Sequence, residues 1–324
     1  MKVLIPGGAG YIGSHTVKHV QDLGHEVTVI DDFSTGNDFA VSDCEVIKLN
    51  LLDNDKLLKA LKGRQFDGVI HFAAKSLVEE SINKPNYYYQ NNITGSINLV
   101  NALLRNDIQN LIFSSTAAIF GIPQKQKINE EHQKLPINPY GKSKLFVENI
   151  FKDIADSYQM NITCLRYFNA AGADPSGKIG EEHDPETHLI PRILKSLISQ
   201  EIELKIYGND YDTKDGTCIR DYVHVCDLAH AHLLSLENHS TYQGFSEYNL
   251  GNGEGFSIME IIQSCKRVTG KAINYQIAKR RKGDPPQLVA DNHLAYSKLR
   301  WDPVYKDIDS IVESAWNWHS RKMF

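Results

Sequence analysis

An α/β fold built on a doubly wound parallel sheet is what the sequence predicts, and three observations carry the prediction. Short β-branched apolar runs alternate with longer segments of helical spacing through the first half of the chain. A glycine-rich turn joins the first run to the first periodic segment, and an acid closes the second run. Continuous apolar strands alternating with helices indicate a parallel sheet covered on both faces, joined by right-handed crossovers.

Six runs read as strands in order: KVLIPG, EVTVID, CEVIKLN, GVIHFAA, NLIFSST and ITCLRYFN. Between them, segments such as YIGSHTVKHVQDLG and KSKLFVENIFKDIADSYQM repeat apolar residues at the helical period. After Asn169 glycine, proline and aspartate become frequent and the elements shorten. The stretch from Arg220 to Glu237 reads again as strand then helix and is expected to return to the sheet. The organisation expected is therefore a Rossmann-like domain over residues 1–169, rejoined by 220–250, and a smaller mixed α/β substrate-binding lobe over 170–324.

The turn after the first strand carries Gly7, Gly8, Gly10 and Gly13, a dinucleotide fingerprint of the G-x-G-x-x-G kind. Glycines permit the tight turn and a close backbone approach to a pyrophosphate. The helix that follows offers free N–H groups to phosphate. Asp31, with Asp32 beside it, falls about 20 residues further on, where the fingerprint needs an acid. A carboxylate there accepts hydrogen bonds from an adenosine ribose and repels a 2′-phosphate, which favours NAD over NADP. Pro6 stands where a small polar residue is usual.

The fifth strand ends on Ser114, Ser115 and Thr116, at the sheet edge where open α/β folds bind ligands. Tyr140 and Lys144 follow, four apart in NPYGKSKL, so a helix puts them on one face. A phenol of pKa ~10 is a poor base at neutral pH, and a nearby positive charge makes it a better one. In this context Tyr140 is read as the proton acceptor, Lys144 as its electrostatic partner and ribose ligand, and Thr116 as the group that orients a substrate hydroxyl.

With the glycine loop, the strand-end hydroxyls and Tyr-x-x-x-Lys in that order, the chain resembles the extended short-chain dehydrogenase/reductase family. The segments GGAGYIGSHT, VIHFAAKSLVEES, KPNYYYQNN, LRYFNAAGADPSG, YGNDYDTKDGTCIRDYVHV, YNLGNGEGFS and RRKGDPP extend the likeness to its UDP-hexose 4-epimerase branch almost end to end. That resemblance implies UDP-galactose and UDP-glucose as ligands, NAD as resident cofactor, and oxidation at C4 followed by rotation and reduction on the other face. It implies that Gly7, Gly10, Tyr11, Ile12, Gly13, Asp31, Asp32, Asn50, Leu51, Phe72, Ala73, Asn91, Ser114, Tyr140, Lys144 and Tyr167 form the cofactor site. It further implies that Thr116, Tyr140, Asn169, His188, Leu189, Tyr207, Arg220, Tyr222, Arg281, Asp284 and Leu288 hold the UDP-sugar. Two phosphate charges give the basic run Lys279–Lys282 a use through Arg281.

Departures from the family pattern are visible. Thr116 replaces a common serine, Ser76 takes the position of a lysine near the pyrophosphate with Lys75 before it, and Asn50 replaces an aspartate. Leu288 is smaller than the tyrosine that restricts a sugar pocket to plain hexoses, so UDP-N-acetylhexosamine stays open as a substrate. UDP-uronate is a further alternative, and a non-catalytic NAD-binding sensor a more distant one. A dehydratase needs an acid pair after the threonine, where this chain has Ala117 and Ala118.

The net charge of −5 argues against a nucleic-acid partner. No apolar stretch is long enough to cross a membrane. Five cysteines without a C-x-x-C pair fit a reduced, cytoplasmic setting, and no metal site is expected. The resemblance implies a homodimer, formed by helices around 87–105 and 143–160.

Overall fold

The computed structural model describes residues 1–199, 203–240, 243–281 and 283–321. Its strands are β1 (Lys2–Pro6), β2 (Glu26–Asp31), β3 (Glu45–Lys48), β4 (Gly68–His71), β5 (Asn110–Thr116), β6 (Asn161–Tyr167), β7 (Asn169–Ala171), β8 (Lys205–Tyr207), β9 (Ile219–Arg220), β10 (Tyr222–His224), β11 (Phe245–Leu250), β12 (Phe256–Ser257), β13 (Gln276–Ala278) and β14 (Gln287–Leu288). The α-helices are α1 (Tyr11–Asp22), α2 (Asn54–Leu61), α3 (Val78–Asn83), α4 (Pro85–Tyr89), α5 (Gly95–Leu104), α6 (Pro139–Tyr158), α7 (Leu189–Ser196), α8 (Val225–Glu237), α9 (Ile258–Thr269) and α10 (Ile308–Arg321).

Seven strands form the main sheet in the order β11-β6-β5-β4-β1-β2-β3. The ladders β1–β2, β1–β4, β2–β3 and β4–β5 are parallel. Order reverses between β1 and β4, and ligands of doubly wound sheets bind at such a switch point. The predicted fold class is the one observed. The stretch from Arg220 divides differently from the expectation: β10 pairs with β7 in a two-stranded sheet, and β11 is the strand that joins the main one. The polar reach of that stretch explains this, because Asp221 sits buried and takes three backbone N–H bonds from Asn252, Gly253 and Ala290.

The chain divides into two compact units, residues 1–121 with 130–166 and 229–248, and residues 122–129 with 167–228 and 249–324. The first unit has a core of sheet residues Leu4, Val69, Leu111, Phe113 and Ile162 packed with Leu57 and Leu61 of α2, Leu99 and Leu103 of α5, and Val147 and Phe151 of α6. These positions recur at four-residue intervals, which puts one apolar face of each helix on the sheet. The second unit packs Ile190, Ile193 and Leu194 of α7 against Ile261, Ile262 and Cys265 of α9 and Ile311 and Val312 of α10.

The helix expected over 87–105 is interrupted. A π-helical turn, Gln90–Thr94, separates α4 from α5. Such a turn holds one extra residue and is frequent at functional sites.

Candidate active site

The switch point of the first unit opens a cleft. Gly7, Gly10, Asp31, Asp32, Asn50, Leu51, Phe72, Ala73 and Asn91 line it, with Ser34, Thr35, Leu49, Ala74 and Lys75. The loop needs its glycines. Gly7 has φ +82°, and a Cβ there would lie 2.3 Å from the backbone nitrogen of Ala73. A Cβ on Gly13 would stand 2.2 Å from the Gly7 carbonyl oxygen, so α1 reaches the loop only without one. Gly10 is the N-cap of α1, no side chain caps that end, and its first turn holds no acid. The N–H groups at such a helix start suit an anion.

Asp31 accepts from Ala9 N at 3.0 Å and from Phe33 N at 2.8 Å. Burial raises its pKa, and those two N–H groups act the other way. Burial also opposes charge on Asp32, but hydrogen bonds from Ser34 and Asn50 outweigh it and lower its pKa. Asn50 Nδ2 donates to Asp32 at 2.6 Å. Lys75, whose role the aligned position left open, lines the cleft and donates to Ser34 Oγ at 2.7 Å.

Past the cleft, Ser114 to Thr116 end β5 and α6 begins at Pro139. Asn138 caps α6 by accepting from Gly141 N at 2.8 Å, and proline suits the first helical position. Tyr140 therefore sits in the first turn, where its phenol is hydrogen-bonded to Thr116. Lys144 is buried one turn on, and its Nζ donates to the Ser114 carbonyl at 2.7 Å. Burial raises the Tyr140 pKa, with the Thr116 bond acting against it. Burial lowers Lys144 to about 7, against the pull of Glu148. Ala118 has no acid; its backbone N–H donates to Thr116 Oγ1 at 3.1 Å.

Three supporting residues were missed in the sequence. Asn92 is buried, accepts from Lys75 N at 2.8 Å and donates to Lys75 O and to Ser143 Oγ, tying the cleft wall to α6. Glu148 receives two guanidinium bonds from Arg166, at 2.9 and 2.7 Å, and a third from Ser115. Arg166 also pairs with Glu247, which Lys134 meets at 2.9 Å. Glu148 lies four residues past Lys144, and that spacing was its available signal.

Tyr167 is the last residue of β6. Within the second unit, Arg220 bonds Asp284 and its own neighbour Ile219 O, and stands in register with Leu288. The Arg281 guanidinium lies 4.0 Å over the Tyr207 ring. Tyr222 is buried, and Asn169 N donates to Asp221 O at 3.0 Å. His188 is the N-cap residue of α7 and pairs with Glu181, and Leu189 opens the helix. Arg280 is held by Asp210 and lies 4.2 Å over Tyr211, so it is not a free surface charge. Lys282 lies outside the described residues.

A family model for the NAD dependent epimerase/dehydratase family matches residues 3–251. The chain is 46% identical to a UDP-glucose 4-epimerase of Halalkalibacterium halodurans, over 98% of this chain and 96% of the relative. It is 47% identical to a UDP-glucose 4-epimerase of Lactobacillus helveticus, over 98% and 97%. The crystal structure of UDP-glucose 4-epimerase from Brucella ovis in complex with NAD superimposes with a TM-score of 0.94 at 45% identity, covering 97% of each chain.

Proposed function

We propose a function from one plain premise: the chain belongs to the NAD dependent epimerase/dehydratase family. It is an NAD-dependent isomerase that interconverts UDP-galactose and UDP-glucose by inversion at C4 of the hexose. The observation that carries this reading is the hydrogen bond between Tyr140 and Thr116, with buried Lys144 one helical turn away.

The residues present fit NAD. An uncapped, acid-free helix start meets a cleft with Asp31 and Asp32 on its wall, which suits a pyrophosphate and a ribose. Gly7, Gly10, Tyr11, Ile12 and Gly13 would hold the diphosphate side, and Asp31, Asp32, Asn50 and Leu51 the adenosine side. Phe72, Ala73, Asn91, Ser114, Lys144 and Tyr167 would hold the rest. Bound there, NAD would supply the hydride acceptor and donor for C4 and, in its oxidised form, a positive charge.

Tyr140 takes the C4 hydroxyl proton and later gives it back, while Thr116 orients that oxygen. Burial keeps the phenol protonated in the nucleotide-free chain, so proton removal is tied to the loaded site. Asn169, His188, Leu189, Tyr207, Arg220, Tyr222, Arg281 and Asp284 are the proposed UDP ligands. Two guanidinium groups suit paired phosphate oxygens. Holding UDP firmly and the sugar loosely lets the hexose present either face. Leu288, beside Arg220 in register, favours a second substrate class, the UDP-N-acetylhexosamines.

Exposed Phe146 on α6 and Tyr87 on α4 support a homodimer joined through those helices. Free thiols at all five cysteines support a cytoplasmic setting. Among the described residues no helix is long and apolar enough to cross a membrane. The test is to add UDP-galactose to the purified chain without NAD and follow UDP-glucose by NMR. Conversion supports both the reaction and a resident cofactor; silence with NAD both bound and added rejects UDP-galactose as substrate.

A further inference from the structure

The second unit carries a cluster of which the reading above uses His188 alone. Glu181, His183, Glu186 and His188 fall within one short segment, Glu-x-His-x-x-Glu-x-His, between β7 and α7. Each turns one ligand atom inward, and these atoms all lie within 4.8 Å of one another. His183 Nδ1 is 3.3 Å from Glu181 Oε1 and 3.8 Å from Glu186 Oε1. His188 Nδ1 is 3.8 Å from Glu186 Oε1 and in direct contact with Glu181 Oε1. A tetrahedral zinc site with bonds of ~2.0–2.2 Å has ligand atoms about 3.3–3.6 Å apart. Among the described residues no other group of three or more such side chains converges this way.

Charge and support agree with a cation at the centre. Glu181 is 2% exposed, and a buried carboxylate needs a compensating charge. Protons alone would supply it as two imidazolium rings, 5.3 Å apart, both aimed at one glutamate oxygen. A divalent ion meets the same four lone pairs with two neutral imidazoles and two carboxylates, for a net charge of zero. The outer contacts orient the ligands. Lys195 Nζ takes Glu186 Oε2 at 3.3 Å and leaves Oε1 facing inward. Trp318 Nε1 donates to the Glu181 carbonyl at 3.1 Å and fixes that strand of chain.

We propose that Glu181, His183, Glu186 and His188 bind one divalent transition-metal ion, with zinc preferred for four nitrogen and oxygen ligands in a tetrahedron. Its role is structural: it staples the segment that leads through His188 into Leu189 and α7. The proposal assigns His188 to the ion and not to UDP, and its other three ligands take no part in the UDP-sugar reading. The sequence expectation of no metal rested on cysteine spacing, which a set of imidazoles and carboxylates escapes.

The test uses the full chain, stripped with a chelator and titrated with zinc against a chromophoric competitor, then with cobalt(II). One zinc per chain and the visible bands of four-coordinate cobalt are expected. His183→Gln should weaken zinc by more than the ~10–100-fold that an outer partner typically contributes. Glu186→Gln serves as the second variant if His183→Gln fails to fold. Thermal unfolding should shift upward with zinc in the parent chain and not in the variants. A parent chain that takes up no zinc and shows no four-coordinate cobalt bands overturns the proposal, as do folded variants that bind zinc as the parent does.

Discussion

Tyr140 and Lys144 share one helix face, and burial moves their pKa values toward the neutral forms. Two tests follow at this scale. Tyr140→Phe removes the proton acceptor and should lower turnover by ~10²–10⁴-fold, with NAD content unchanged by absorbance after denaturation; normal turnover would end the assignment. Lys144→Met should abolish activity yet stabilise the nucleotide-free chain. The sign is set by linkage: Lys144 titrates near 7 folded and ~10.4 unfolded. The unfolded chain thus binds the extra proton between those values, and stability rises with pH there. The penalty is largest below pH 7, where the methionine variant should gain on the order of 2 kcal/mol, read by urea unfolding at pH 6 and pH 9. Thr116, Tyr140 and Lys144 were legible because their chemistry sits in contiguous motifs. Asn92, Glu148 and Arg166 were not, since each acts through partners distant in sequence, such as Asn92 on Ser143.

Secondary-structure elements set how closely groups can approach. Gly13 admits the first turn of α1 against the Gly7 carbonyl, so Gly13→Val drives side-chain atoms into backbone. It should weaken NAD binding at least about 100-fold, roughly 2.7 kcal/mol, measured by fluorescence titration, while far-ultraviolet dichroism stays near that of the parent. The Asn138 cap holds the end of α6 that carries Tyr140. Asn138→Ala should cost about 1 kcal/mol of stability, seen as a lower urea midpoint at unchanged slope. Elements with strong periodicity, α1 and α6, could be read directly. The strands of the second unit could not: β9, β12 and β14 are two residues each, and their pairing is decided by distant partners.

For the whole molecule, alternation of strand and helix was enough to anticipate the sheet, because a buried parallel sheet demands apolar runs and crossovers. The sheet's last strand escaped because β11, FSEYNL, mixes polar and apolar residues and follows a helix whose preceding strand pairs elsewhere. Assembly is testable at this scale. Phe146 is 50% exposed on α6 and lies 6.4 Å from Tyr89. On the proposed homodimer, Phe146→Glu places a charge in the interface, so the parent should sediment as a dimer and the variant as a monomer in analytical ultracentrifugation; a monomeric parent would reject the homodimer and a dimeric variant would place the interface elsewhere.

The π-helical turn makes the cofactor cleft sensitive to counting as well as to chemistry. Asn91 lines the cleft while its neighbour Asn92 binds the Lys75 backbone and Ser143. Each helical residue advances the azimuth by about 100°. Deleting one residue from Gln90–Thr94 would restore a regular helix with α4 and α5 nearly in phase, because the wide turn rotates the chain about as far as an α turn with one residue fewer. The change would fall on the turn itself, where the side chains of Asn91 and Asn92 would take new azimuths and lose the cleft or Ser143. A length polymorphism at this spot is thus a hazard to the cofactor cleft, even one that leaves both asparagines in place.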